Sequence, residues 1–152
     1  VAHRLVGEDC TLVMAGDGEL KTRLQAHAEL TGFDVRFPGF VGQAKLADLM
    51  FSADVILAPL SGCALVESAL SGTPIVAYDV DWHRELIEDN VTGALVPFRD
   101  WEAMGIAAEW LLRNPAQARA MGMQARLKAI EQHSLEKLWK AEAECWEKVL
   151  KQ

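Results

Sequence analysis

Basic residues are in short supply in this chain. Fifteen Lys and Arg stand against 22 Asp and Glu, so the net charge is −7. Non-specific nucleic-acid binding needs a cationic face to neutralise phosphates, so nucleic acid is not an expected partner. Cysteine is also scarce. Cys10, Cys63 and Cys145 lie far apart, and no CxxC pair exists. Neither a structural zinc site nor a disulfide framework can be read from that pattern, which fits a thiol-reduced, cytoplasmic setting. No apolar run reaches the roughly 18 residues that suggest a membrane span, and no direct membrane contact is expected. Val1-Ala2-His3-Arg4 is not followed by the apolar stretch of a secretory signal. Repeats, low-complexity tracts and linker-like stretches are missing too, so residues 1–152 read as one domain. What remains is a globular composition, 51% hydrophobic and 24% charged over 152 residues, enough to build a real core.

Short apolar runs alternate with helical patterns. Strands are expected at residues 11–15, 34–37, 55–58, 74–78 and 93–96, and helices at about 20–31, 44–52, 63–71 and 82–88. Gly32 and Gly72 are placed to end two of the helices. Three helices then finish the chain, with Asp100, Asn114 followed by Pro115, and Ser134 as expected caps. Trp101, Met104, Ala108 and Leu111 form the stripe of the first. Leu135, Leu138, Trp139, Trp146, Val149 and Leu150 form that of the last. The five tryptophans are expected mostly in core or helix packing. Apolar strands separated by helices imply a parallel sheet covered on both faces, a Rossmann-like, doubly wound α/β domain. Ligands of such domains sit beyond the carboxyl ends of the strands.

The most informative stretch runs from Pro59 to Pro74, from a strand end through a small turn into a helix. At Ser61-Gly62-Cys63-Ala64 the helix N-terminus offers unpaired N–H donors, which suit a diphosphate. Gly62 allows a close approach to the backbone. Glu67 has apolar neighbours Ala64, Leu65, Val66, Ala69 and Leu70. Burying it unpaired costs several kcal/mol, so it is expected to have a buried ionic partner or to face a polar ligand such as the vicinal hydroxyls of a ribose. Gly16 and Gly18 form a second strand-end turn. Lys21 occupies the third position of a GxGxxG pattern, so this is no dinucleotide fingerprint. Asp79 and Asp81 spell D-x-D, which reads chiefly as a loop or cap, with no metal expected. His83 and Glu85, in the loop after the same strand, are possible substrate-side groups. Cys63 has no nearby base and reads as structural.

Five blocks follow one another in a recognisable order: residues 12–20 (LVMAGDGEL), 35–41 (VRFPGFV), 52–59 (SADVILAP), 65–77 (LVESALSGTPIVA) and 85–97 (ELIEDNVTGALVP). They resemble the donor-binding C-terminal domain of GT-B-fold glycosyltransferases of family 4, the retaining group 1 enzymes, over about residues 1–130. The resemblance implies binding of a nucleotide-diphospho-sugar of UDP or GDP type, as substrate rather than cofactor. Glu67 matches the second glutamate of the family's E-x7-E motif, which holds the ribose. It places Ser61, Gly62, Cys63 and Ala64 against the diphosphate, Gly16 and Gly18 along the cleft, Phe40 and Val41 near the base, and the Trp82-His83 loop with Glu85 on the donor side. Pro59 stands where the motif's first glutamate would be. Residues 1–5 look like the end of the helix after the family's first strand. The chain is therefore expected to be a fragment that lacks that strand and the N-terminal acceptor domain, inactive alone and with free strand edges that favour self-association. Two alternatives stay open: a nucleotide-sugar epimerase of the same fold using His83 and Glu85, and a non-catalytic α/β assembly domain.

Overall fold

The computed structural model describes residues 10–150. Residues 1–5, read above as a helix end, lie outside the described residues, as does the side chain of Leu135. The order is β1 (Leu12–Ala15), α1 (Lys21–Thr31), β2 (Val35–Gly39), α2 (Gln43–Ser52), β3 (Ile56–Ala58), α3 (Cys63–Ser71), β4 (Ile75–Asp79), α4 (His83–Leu86), β5 (Ala94–Pro97), α5 (Trp101–Arg113), α6 (Pro115–His133) and α7 (Leu135–Leu150). The α/β fold expected from the alternation is present.

All strand pairs are parallel. β1 pairs with β2, and β3, β4 and β5 form a second sheet in that order. Among the described residues no ladder joins β1 to β3, and α2 and α3 span the division by packing on each other. β4 is the centre of the molecule. Ile75 and Ala77 face one core with Leu65, Ala69, Leu86, Ile87, Ala125 and Ala129. Val76 and Tyr78 face the other with Val96, Met104, Ala108, Leu111, Ala118 and Met121. Alternation along one strand thus feeds two helical layers, the doubly wound arrangement.

The local signals explain most boundaries. Gly32 (φ 66°) and Gly72 (φ 75°) end α1 and α3 in the left-handed region. Asp100 accepts a hydrogen bond from the Ala103 amide at 2.8 Å, and Ser134 one from the Lys137 amide at 3.3 Å. Asn114 acts differently from expectation. Its side-chain amide donates to the Trp110 carbonyl at 2.8 Å, so it closes α5 rather than capping α6, which opens on Pro115. The helix expected over 82–88 is the single turn α4. Beyond it Ile87 is extended, and the Thr92 hydroxyl takes over, donating to the Leu86 carbonyl at 2.9 Å and accepting from the Glu88 amide at 2.7 Å.

The tryptophan expectation fails. Trp82 is half-buried against the first core, but Trp101 is 54% exposed, Trp139 67% and Trp146 59%, and Trp110 is exposed as well. Leu138, Val149 and Leu150 are also exposed, so these stripe residues of α7 cover no core among the described residues.

Candidate functional site

Ala58, at the end of β3, is buried; the chain then turns outward through exposed Pro59 and Leu60. Gly62 precedes α3 and no side chain caps the helix. The first-turn amides of a helix have no partners inside it. Gly62, Cys63 and Ala64 are exposed, so this end of α3 faces solvent. A Cβ built on Gly62 meets nothing within 4 Å, but its φ of −81° and ψ of −128° lie outside the main regions that residues with a side chain adopt. Packing does not require glycine at this position, whereas the backbone conformation favours it.

Glu67 stands one turn further along α3. The structure corrects its expected burial: it is exposed, because Leu65, Ser68 and Ala69 form the inward stripe of α3. At about 100° per residue, Glu67 is rotated by roughly 200° from Leu65 and points away from the core. Among the described residues it has no ion-pair or hydrogen-bond partner, so the expected internal partner is not found. It lines a groove of about 200 Å³ between α2 and α3, with Gln43, Leu46, Met50 and Phe51 opposite. The Thr73 hydroxyl, just past the end of α3, ties the following loop to α2 by donating to the Met50 carbonyl at 2.6 Å.

A second cavity, of about 450 Å³, opens at the carboxyl end of β1 and is lined by Gly16, Asp17, Gly18, Lys21, Leu24 and Phe37 among others. Gly16 has φ 131°, a conformation side chains avoid, and its amide donates to the Gly39 carbonyl at 2.8 Å. Asp17 pairs with Lys21 at 2.8 Å, and that hydrogen bond, with one from the Gly18 amide, lowers the Asp17 pKa. Lys21 was not singled out from sequence; its spacing of four from Asp17 on a helix start was the available signal. The two cavities share no lining residue, so Gly16 and Gly18 belong to a different concavity from Glu67. Phe40 (88% exposed) and half-buried Val41 follow β2.

The loop after β4 departs most from expectation. His83 is 1% exposed. Its Nδ1 lies 2.9 Å from the Tyr78 carbonyl and its Nε2 lies 3.0 Å from the Ser61 carbonyl, with the Ser61 amide 3.3 Å from the same nitrogen. Both ring nitrogens thus face backbone, which corrects the expected direct substrate contact. Glu85 is exposed. Asp79 makes a two-pronged pair with Arg84, its Oδ1 accepting from Nε at 2.9 Å and its Oδ2 from the guanidinium NH2. That hydrogen bond, with the attraction of the Arg84 charge, holds the Asp79 pKa down. Asp81 adopts a left-handed φ of 49° on the exposed turn. Among the described residues no group of three or more His, Cys, Asp or Glu is placed to hold a metal. No helix among them is long and apolar enough to cross a membrane.

Comparison with known proteins supplies the context. The chain is 38% identical over 112 residues to a phosphatidyl-myo-inositol mannosyltransferase of Mycobacterium leprae, covering 70% of this chain and 30% of that protein. It is 36% identical over 118 residues to a GDP-mannose-dependent alpha-(1-6)-phosphatidylinositol dimannoside mannosyltransferase of Mycobacterium tuberculosis, covering 74% and 30%. It is 32% identical over 126 residues to an alpha-D-kanosaminyltransferase of Streptomyces kanamyceticus, covering 78% and 32%. The chain thus spans about 30% of the length of these relatives. Its fold matches the Anabaena protein HepE in complex with UDP, with TM-score 0.87 and 20% identity, covering 97% of this chain and 43% of that one. It also matches a glycosyltransferase from Rickettsia africae, with TM-score 0.87 and 18% identity, covering 99% and 43%. The family described as glycosyl transferases group 1 matches residues 1–128, and the chain belongs to that family.

Proposed function

We propose that the chain is the donor-binding part of a glycosyltransferase. In this reading a nucleotide-diphospho-sugar docks at the carboxyl end of β3, with the diphosphate on the first-turn amides of α3 and the ribose hydroxyls on Glu67. The observation that carries it is the solvent-facing, unpartnered carboxylate of Glu67, one turn behind an uncapped helix start at Gly62. A carboxylate accepts from two vicinal hydroxyls, while helix N-terminal amides and their dipole favour a diphosphate. Glycine at position 62, with open space where a Cβ would stand, leaves the backbone free for a ligand to approach.

Transfer breaks the bond between the sugar's anomeric carbon and the diphosphate, and negative charge gathers on the departing oxygen. Donors aimed at that oxygen stabilise the transition state more than the ground state. This chain contributes such donors and no assigned general base. Pro59 offers no carboxylate to the donor sugar. The acceptor is held by another part of the protein, in keeping with the relatives' greater length. The base is guanine or uracil: one sequence relative is named GDP-mannose-dependent, and a fold relative was solved with UDP. The epimerase alternative required His83 in a cleft, and its burial removes that support.

Isothermal titration of UDP, GDP and ADP into the full-length protein tests the proposal. Binding of UDP or GDP with a one-to-one stoichiometry supports it. Failure of all three at millimolar concentration contradicts it.

A further inference from the structure

We infer that His83 is a positioning residue for the donor, acting through the Ser61–Gly62 turn; the inference rests on the donor reading above. The imidazole is buried and spans two loops that are 22 residues apart in sequence. At one end Nδ1 meets the Tyr78 carbonyl, next to the end of β4. At the other, Nε2 meets both main-chain groups of Ser61. A neutral ring with its proton on Nδ1 donates to Tyr78 and accepts the Ser61 N–H; with its proton on Nε2 it donates to the Ser61 carbonyl. The first form holds the Leu60–Ser61 peptide and the second the Ser61–Gly62 peptide, so either one anchors Ser61 beside the amides that open α3. Trp82 stands edge-on to the ring, with centroids 5.8 Å apart, and limits its reorientation. The turn otherwise offers little to hold itself: Pro59, Leu60, Gly62, Cys63 and Ala64 are all exposed. Without this brace the amides sample several directions, and ordering them on binding reduces affinity.

Asparagine and glutamine separate the two ends of the ring, since an Asn amide reaches the position of Nδ1 and a Gln amide that of Nε2. The test uses full-length protein carrying His83→Asn or His83→Gln. Affinity is measured by calorimetry for UDP and GDP and for uridine and guanosine, with a thermal melt of each variant. The account predicts that His83→Asn weakens the diphosphate by about tenfold or more, as for a lost buried hydrogen bond. Nucleoside affinity stays near the parent's, although the melting temperature falls with the lost buried bond, and His83→Gln recovers most of the diphosphate loss. Equal weakening of nucleoside and diphosphate, or an Asn variant with parental diphosphate affinity, overturns it while leaving the donor reading standing. A parent protein that binds no nucleotide overturns both. If the Asn variant does not fold, ring 15N NMR of the parent decides. The His83 Nε2 resonance is expected to shift with the nucleoside diphosphate and not with the nucleoside; no differential shift overturns the inference.

Discussion

Gly122 of α6 lies directly on Gly72, the residue that ends α3: a Cβ built on Gly122 falls 2.1 Å from the Gly72 carbonyl oxygen and 3.0 Å from the Thr73 carbonyl carbon. Both obstacles are backbone and cannot rotate aside. The contact seats α6 against the element that presents Glu67, and the Arg126 guanidinium adds a bond to the Leu70 carbonyl at 2.8 Å. Gly122→Ala would gain up to about 1 kcal/mol in helix propensity, but forcing the helices apart costs about 1–3 kcal/mol. A melting temperature lower by a few degrees is expected from circular dichroism. An unchanged or raised value would show that the helices do not meet so closely.

Glu67→Ala is expected to weaken nucleotide binding by about 1–3 kcal/mol, the cost of losing a charge-assisted hydrogen bond to the ribose. Since Glu67 is exposed and unpartnered, the melting temperature should barely move. A 2′,3′-dideoxynucleoside diphosphate, which lacks the hydroxyls, should bind the parent and the variant alike. If the variant weakens both ligands equally, the carboxylate does not serve the ribose.

Thr92 is buried and its hydroxyl satisfies two backbone groups, Leu86 O and Glu88 N. Thr92→Val keeps the shape and strands both partners, at about 1–3 kcal/mol. Urea denaturation should show a lower midpoint with an unchanged slope. Parental stability would mean that water replaces the hydroxyl without loss.

Asp79 and Arg84 make a prediction about acid. The guanidinium lowers the folded-state pKa of Asp79, so the pair's contribution is complete above the ordinary carboxylate range. It fades as pH falls through the lower, folded-state value. Both groups lie at the surface, so the effect is small and weakens with salt. Carbon-detected NMR titration should find Asp79 protonating later than an unpaired aspartate as the solution is acidified, and at the ordinary value in Arg84→Gln. An ordinary Asp79 titration in the parent would refute the pairing.

The sequence made the α/β order legible because strand runs such as Ile75–Tyr78 are apolar throughout and the stops at Gly32 and Gly72 are chemically specific. The side-chain directions were harder. Glu67 was judged by its neighbours along the chain, whereas the 65, 68, 69 spacing already turned it outward. The tryptophans of α7 share one stripe, but a stripe says only that a helix can bury a face, and among the described residues this one is exposed. His83 carried no local sign of its contact with Ser61, 22 residues earlier, because that contact is made by the tertiary fold bringing two strand ends together.

A crystal structure of the full-length protein with UDP or GDP bound tests the central claim most directly. The account predicts diphosphate oxygens within hydrogen-bond reach of the amides at Gly62 to Ala64, and both ribose hydroxyls on the Glu67 carboxylate. A nucleotide seated instead wholly in the cavity at Gly16 and Lys21, with Glu67 left in solvent, would contradict it.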